Sequence, residues 1–404
     1  MTNHTATTRP RREVTGPART EPPRSIPFGR PMLDADERYA VLEVLSRPTL
    51  THGPVVAEFE ASFARFTGAP HAVAVNSCTA AMHLAWLHLG LGPGDEVIVP
   101  ALTHVATAHA VELCGARCVF VDAEPATGNI DIDRIETAIT DRTRGISVVH
   151  FLGMPVDMVR VLAIARRHDL AVVEDCALAL GATLDGNHVG LFGDAGCFSF
   201  YPVKHITTAE GGMLITNSPQ VARDAATRRA FGIDRNVVAD RPSPGDYDVT
   251  CLGHNYRMSE IAAAIGLKQM QKLDGFLAAR RANALALEDG LRAIDEIELP
   301  DSTAGRFVSA RYCLAVVLQE PLAAARRTIM DALKQRGVGV SVYYPRPVPH
   351  LRYYRQKYGI ADISFSVASG FCARSIALPV GPHLRSEDIG YIVDSVKEAL
   401  ASAK

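Results

Sequence analysis

The sequence predicts an α/β fold: a large domain with a mostly parallel seven-stranded sheet flanked by helices, then a smaller C-terminal α/β domain. Three observations carry this. Seven short apolar runs lie between about residues 71 and 217. Helical patterns separate most of them, as crossovers between parallel strands require. Beyond about residue 255 the alternation gives way to one long helical stretch and a different spacing of elements.

Residues 1–25 are rich in Pro, Thr and Arg and hold almost no large apolar side chain, so burial cannot offset the entropy of ordering them. They read as a flexible tail whose arginines (Arg9, Arg11, Arg12, Arg19, Arg24) are either solvated or free to touch an acidic partner. Residues 26–265 form the expected large domain. Its helices include VAEFEASFARFTG, TAAMHLAWLHLG and DMVRVLAIARRHD, with apolar residues at three- and four-residue spacing. Its strands are HAVAVNS, DEVIVP, ARCVFVDA, GISVVHF, LAVVEDC, AGCFSF and GGMLITN. They are rich in Val and Ile and apolar on both faces, which suits strands covered by helices on both sides. AGCFSF and GGMLITN are too close together for a crossover helix, so one of that pair runs antiparallel. Residues 266–404 hold the rest of the linking helix and the small domain. There RYCLAVVL and GVGVSVYYP read as strands, and LAAARRTIMDALKQRG and RSEDIGYIVDSVKEALASA as helices.

Composition narrows the function classes. The 404 residues carry 42 Lys plus Arg against 44 Asp plus Glu, a net charge of −2, which gives no global drive toward nucleic acid. No apolar run approaches the roughly 18 residues of a membrane-spanning helix. The N-terminal segment lacks the apolar centre of a secretory signal. Eight cysteines without a CxxC pair do not form a disulfide framework or a metal site by spacing, so reduced thiols, no metal and a cytoplasmic location are expected.

Ligands of open α/β sheets bind beyond the carboxyl ends of the strands. After HAVAVN comes Ser77-Cys78-Thr79 before a helix, either a plain cap or a phosphate site at a helix N-terminus. After LAVV come Glu174 and Asp175. After AGCFSF comes YPVKHITTAEGG, where Lys204 is either a loop lysine or a nucleophile whose pKa burial lowers. A strand-end acid, a lysine 29 positions later and a phosphate-type helix start fit pyridoxal phosphate together. That cofactor needs an amine, an acid at its ring nitrogen and donors for its phosphate.

FSFYPVKHITTAEGGMLIT, with VVEDCALALGA before it and GHNYRMSEIAAAIGL after it, resembles the DegT/DnrJ/StrS sugar aminotransferases. LTHGPVVAEFE, NSCTAAMHLA, GVGVSVYYP and SIALPVGPHLRSEDI extend the likeness from about Pro27 to the C-terminus. The resemblance implies a fold-type I, pyridoxal-phosphate-dependent aminotransferase. It implies Lys204 as the Schiff-base lysine and proton shuttle, and Asp175 as the partner of the pyridinium nitrogen. Cys78, Thr79 and Ser199 become phosphate ligands, and Asn255 reaches the phosphate of the neighbouring subunit of a homodimer. Arg257 is a candidate for acidic groups of the substrate or donor, or a support for its own loop. Tyr343 and Tyr344 fall near the substrate mouth, where the family often has a His and an aromatic residue.

The chain departs from the pattern at several positions. His104 stands where an aromatic ring commonly covers the cofactor. Leu178 replaces a Gln or His near the cofactor's phenolic oxygen, and Leu180 replaces a His. Cys78 replaces a Gly. The expected activity moves an amino group from glutamate or glutamine to a keto sugar, nucleotide-linked, or to a cyclitol ketone. The related sugar 3-dehydratases carry His at the lysine position; counting five residues on from Ser199 reaches Lys204, not His205. A non-catalytic cofactor-binding regulator is the third reading, and retention of Lys204 and Asp175 argues against it.

Overall fold

The computed structural model describes residues 24–233, 247–300, 305–361 and 364–403. Arg9, Arg11, Arg12 and Arg19 lie outside them. Arg24 is not a free tail arginine: its Nη2 pairs with Asp388 Oδ1 at 2.6 Å and its guanidinium covers the Tyr391 ring. Ile26 is buried and bridges Val338.

All seven apolar runs become strands of one sheet: β1 (His71–Val75), β2 (Glu96–Pro100), β3 (Arg117–Val121), β4 (Thr143–Val149), β5 (Ala171–Asp175), β6 (Ala195–Ser199) and β7 (Gly212–Thr216). Their order is β1-β7-β6-β5-β4-β2-β3. β7 is the antiparallel member, against both β1 and β6; the other pairings are parallel. Residues 200–211 between β6 and β7 form a loop instead of a crossover helix. That reversal brings the start of β7 to the same edge as the carboxyl ends of β5 and β6.

The pleat sorts side chains by parity. Val73, Val75, Val97 and Val99 pack on one face with α3 (Cys78–His88) and α4 (Val105–Leu113). Ala74 packs on the other face with Phe59 and Phe63 of α2 (Pro54–Thr67), and Ile98 packs there with Ile146 and Val148. Each fully buried Val, Ile or Phe contributes about 1.5–3 kcal/mol, so the two-sided apolar strands anchor the sheet.

The expected linking helix is one continuous element, Glu260–Leu291, of 32 residues. The proposed domain limit at residue 265 falls inside it. Its later turns, with Ala284, Leu287 and Leu291, pack on a second sheet. That sheet joins Ile297–Glu298, Leu314–Leu318 and Ser375–Leu378, all antiparallel. Helices Arg326–Gln335 and Ser386–Ala401 match the two helical stretches expected there. RYCLAVVL narrows to Leu314–Leu318. GVGVSVYYP does not form a strand; it makes single bridges only, Val338 to Ile26 and Ser341 to Ala377. Strand alternation would turn one of its adjacent tyrosines away, whereas Tyr343 and Tyr344 both face the same cavity. Five α-helices not singled out in the sequence also form: α1 (Ala35–Leu45), α4, Pro219–Arg228, Arg352–Tyr358 and Ser366–Arg374. No helix among the described residues is long and apolar enough to cross a membrane.

Candidate active site

A cavity of about 470 Å³ opens at the carboxyl ends of β4, β5 and β6, beside the start of α3. Eight of the ten residues expected at the site line it: Cys78, Thr79, His104, Asp175, Ser199, Lys204, Tyr343 and Tyr344.

Lys204 sits in the loop 200–211, which its own backbone closes. Phe200 N–H donates to Gly211 O at 2.9 Å, Thr208 N–H to Phe200 O at 3.0 Å and Lys204 N–H to Tyr201 O at 2.9 Å. The lysine is thereby aimed from a fixed base. Burial lowers its pKa to about 8, with Asp175 pulling the other way. Near pH 8 a large share of the amine is therefore neutral and nucleophilic. Capture of an aromatic aldehyde cofactor by the apoprotein should accelerate as pH rises through about 8 and level off above it. Stopped-flow absorbance checks this; a flat profile from pH 7 to pH 9 would contradict the assignment. The neighbouring His205 faces away. Its buried Nε2 donates to Ala310 O at 3.0 Å and its ring packs on Tyr312.

Asp175 closes the floor, 4% exposed. Its Oδ1 accepts the Ala177 N–H at 3.0 Å and faces the Cys78 thiol at 3.9 Å; its Oδ2 accepts from Thr107 Oγ1 at 2.7 Å. Burial and the adjacent carboxylate push the Cys78 thiol well up, so it stays protonated. Its side chain points at Asp175, and only its backbone belongs to the helix start.

That start is a donor cradle. Ser77 Oγ caps α3 by accepting the Ala80 N–H at 3.1 Å, which leaves the amides of Cys78 and Thr79 without partners among the described residues. β7 reaches this turn through glycine: a Cβ on Gly212 would lie 2.4 Å from the Ser77 carbonyl carbon and 2.5 Å from the Cys78 nitrogen. Ser199 ends β6 on the same cavity wall.

His104 caps α4, its Nδ1 accepting the Ala106 N–H at 3.2 Å, and its ring lies 5.7 Å from that of Tyr344. Partial burial lowers its pKa despite Asp175, favouring the neutral ring. Leu178 is part of the cavity wall, packed with Tyr312 and Cys313. Leu180 is core and does not line the cavity. Asn255 and Arg257 also stand outside the lining. Asn255 is exposed and its Oδ1 accepts from Arg257 Nε at 3.1 Å. The Arg257 guanidinium lies over Phe231 and hydrogen-bonds His52.

The structure adds residues that sequence reasoning missed. Thr103 and Thr107 flank His104 just after β2, and their hydroxyls, four apart in the sequence, are the available signal. Tyr312 comes from the start of the RYCLAVVL run and gave none. Its ring lies 5.1 Å from Lys204 Nζ and its hydroxyl pairs with that of Tyr343 at 2.7 Å. His150, Glu174 and Cys176 come within metal-binding reach of one another. The donor atoms of His150 and Glu174 are already used. His150 Nδ1 accepts the Val156 N–H and its Nε2 donates to Glu174, whose oxygens also accept the N–H groups of Gly190, Phe192 and Gly193.

A buried amine, a facing carboxylate and a helix start with open amides are the fittings that pyridoxal phosphate requires. The sequence model of the DegT/DnrJ/EryC1/StrS aminotransferase family matches residues 31–397. The chain belongs to this family. It is a pyridoxal-phosphate-dependent aminotransferase of fold-type I. It is 38% identical over 379 residues to the GDP-perosamine synthase of Caulobacter vibrioides, covering 93% of this chain and 98% of that protein. Spore coat polysaccharide biosynthesis protein SpsC of Bacillus subtilis is 35% identical over 382 residues, 94% of this chain and 98% of its own. A putative sugar aminotransferase from Streptococcus pneumoniae, solved in its PMP form, superposes with a TM-score of 0.89 at 28% identity, over 94% of this chain and 100% of its own. Its PLP form superposes at 0.88.

Proposed function

We propose that this aminotransferase moves an amino group from glutamate or glutamine to the ketone of a nucleotide-linked sugar or a related cyclitol, for amino-sugar biosynthesis. The observation that carries the reading is the Lys204 amine and the Asp175 carboxylate facing one cavity at the strand ends. When bound, the cofactor supplies an aldehyde and an electron-withdrawing ring that hold the amino group between the two half-reactions. Lys204 Nζ would hold that aldehyde and, as a free amine, would carry the proton that leaves the substrate carbon. The Asp175 carboxylate would accept a hydrogen bond from the protonated ring nitrogen. The amides of Cys78 and Thr79 and the Ser199 hydroxyl hold the phosphate. His104 would cover the ring, and Tyr343 and Tyr344 would contact the acceptor.

The cavity wall is aromatic and neutral apart from Lys204, Asp175 and Glu210. Such a wall suits the apolar faces of a sugar ring. Anionic groups of either substrate then need cations from elsewhere. This supports a homodimer in which Asn255 and Arg257 of the partner subunit complete each site. Both lie on a surface that exposes Phe231 and Leu50. The eight free thiols support a cytoplasmic location. His205, turned toward Ala310, gives no support to the dehydratase reading.

Adding glutamate, then glutamine, to the purified holoenzyme tests the reaction. One of them should bleach the visible cofactor band, and a nucleotide-linked 3-keto or 4-keto hexose should restore it. A band unchanged by both donors would overturn the proposal.

A further inference from the structure

We infer that Thr107, with Thr103 behind it, is a positioning residue that fixes the Asp175 carboxylate for the cofactor ring. This rests on the reading of Asp175 given above. Thr107 lies in the first turn of α4, fully buried, and its Oγ1 is 2.7 Å from Asp175 Oδ2. Thr103, 2% exposed, lies 2.7 Å from Thr107 Oγ1.

The protons on this chain have one consistent order. An ionised carboxylate only accepts, so the Thr107 proton is committed to Asp175. The short contact between the two threonines then requires Thr103 to donate. The other carboxylate oxygen takes the Ala177 N–H at 3.0 Å and the distant Cys78 thiol. Held at Oδ1 alone, the carboxylate could still rotate about its last side-chain bond. The Thr107 hydroxyl on Oδ2 pins its plane. A buried hydroxyl has a cost unless it is bonded, and Asp175 and Thr103 are the partners Thr107 has. The segment from Thr103 to Thr107 therefore does two jobs: His104 lines the cavity, and Thr107 sets the acid beneath it.

The test is the dissociation constant for pyridoxal phosphate, read by absorbance titration of the full-length apoprotein. Thr107→Val removes the hydroxyl at nearly constant shape and should weaken binding about tenfold or more, the usual size for a hydrogen bond to a charged group. Thr107→Ser keeps the hydroxyl and drops the methyl, and should stay within about threefold of wild type. Thr103 lines the cavity but makes no bond to Asp175, so Thr103→Val should fall between them; it keeps the test open if Thr107→Val does not fold. The pH titration of the bound cofactor's absorbance should move in Thr107→Val and not in Thr107→Ser. Wild-type affinity in both Val variants would overturn the inference. So would equal losses in Thr107→Ser and Thr107→Val, which would mark a packing role. Those two outcomes leave the Asp175 reading intact. A Thr107→Val that binds normally beside an Asp175→Asn that also binds normally would overturn both.

Discussion

Lys204→Ala should lower turnover by about 10⁴-fold or more, because one amine serves as both covalent anchor and proton carrier. The loss should appear in kcat and persist at saturating substrate. The fold should survive. The lysine makes no side-chain hydrogen bond or ion pair among the described residues, and its loop is closed by backbone bonds from Phe200, Thr208 and Lys204 itself. Removing an ammonium held in a cavity that disfavours it should leave the melting temperature unchanged or raised. Added alkylamines should return part of the activity by carrying the proton that Lys204 no longer carries. Steady-state kinetics beside a thermal melt separate the outcomes. Residual turnover within about tenfold of wild type would remove Lys204 from the chemistry.

Asp175→Asn is expected to cost about 10³-fold in kcat, the order seen when a preorganised charge partner is lost from a buried site. The amide keeps the volume and can still accept from Thr107. What it loses is the charge opposite the ring nitrogen. A second effect has a definite sign. Asp175 raises the pKa of Lys204 against the larger effect of burial. Its neutralisation should therefore move the onset of cofactor capture from about pH 8 to lower pH. A variant that loses turnover with no shift in that onset would mean that the two groups do not share one field. One that keeps turnover would mean that Asp175 does not face the ring.

The parts of the molecule that were legible in sequence are those in which local pattern and tertiary demand agree. Each of the seven strands is short, apolar on both faces and bounded by turn residues, and each joins the one sheet. Asp175 ends β5 and Lys204 lies in the loop after β6, at the edge where sheet topology brings ligands, so their spacing and the helix start at Ser77 together point to one site, and the family resemblance supplies their roles. GVGVSVYYP has the composition of a strand, but its backbone follows the cavity instead of a ladder. Its two tyrosines point together, and no periodicity announces that. Tyr312 was hidden for the same reason: it precedes a true strand, Leu314–Leu318, and its role comes from contacts with His205, Lys204 and Tyr343 that are distant in sequence. Thr107, in a helix that the sequence did not single out, is a hydrogen-bond partner of the central acid. Leu178 replaces a residue expected near the cofactor's phenolic oxygen, and Leu180 replaces the His expected two positions on. Only Leu178 reaches the cavity, because Leu180 turns into the core beside Phe63 and Phe200.

The most direct test is to reduce the holoenzyme with borohydride and map the cofactor's mass by peptide mass spectrometry. The chain has seven lysines, and Lys204 is the only one before residue 268, so the mapping has no neighbours to confuse it. The mass should fall on the peptide containing Lys204 and be absent from the Lys204→Ala protein. A cofactor mass on any other lysine, or none on a protein that holds the cofactor, would contradict the account.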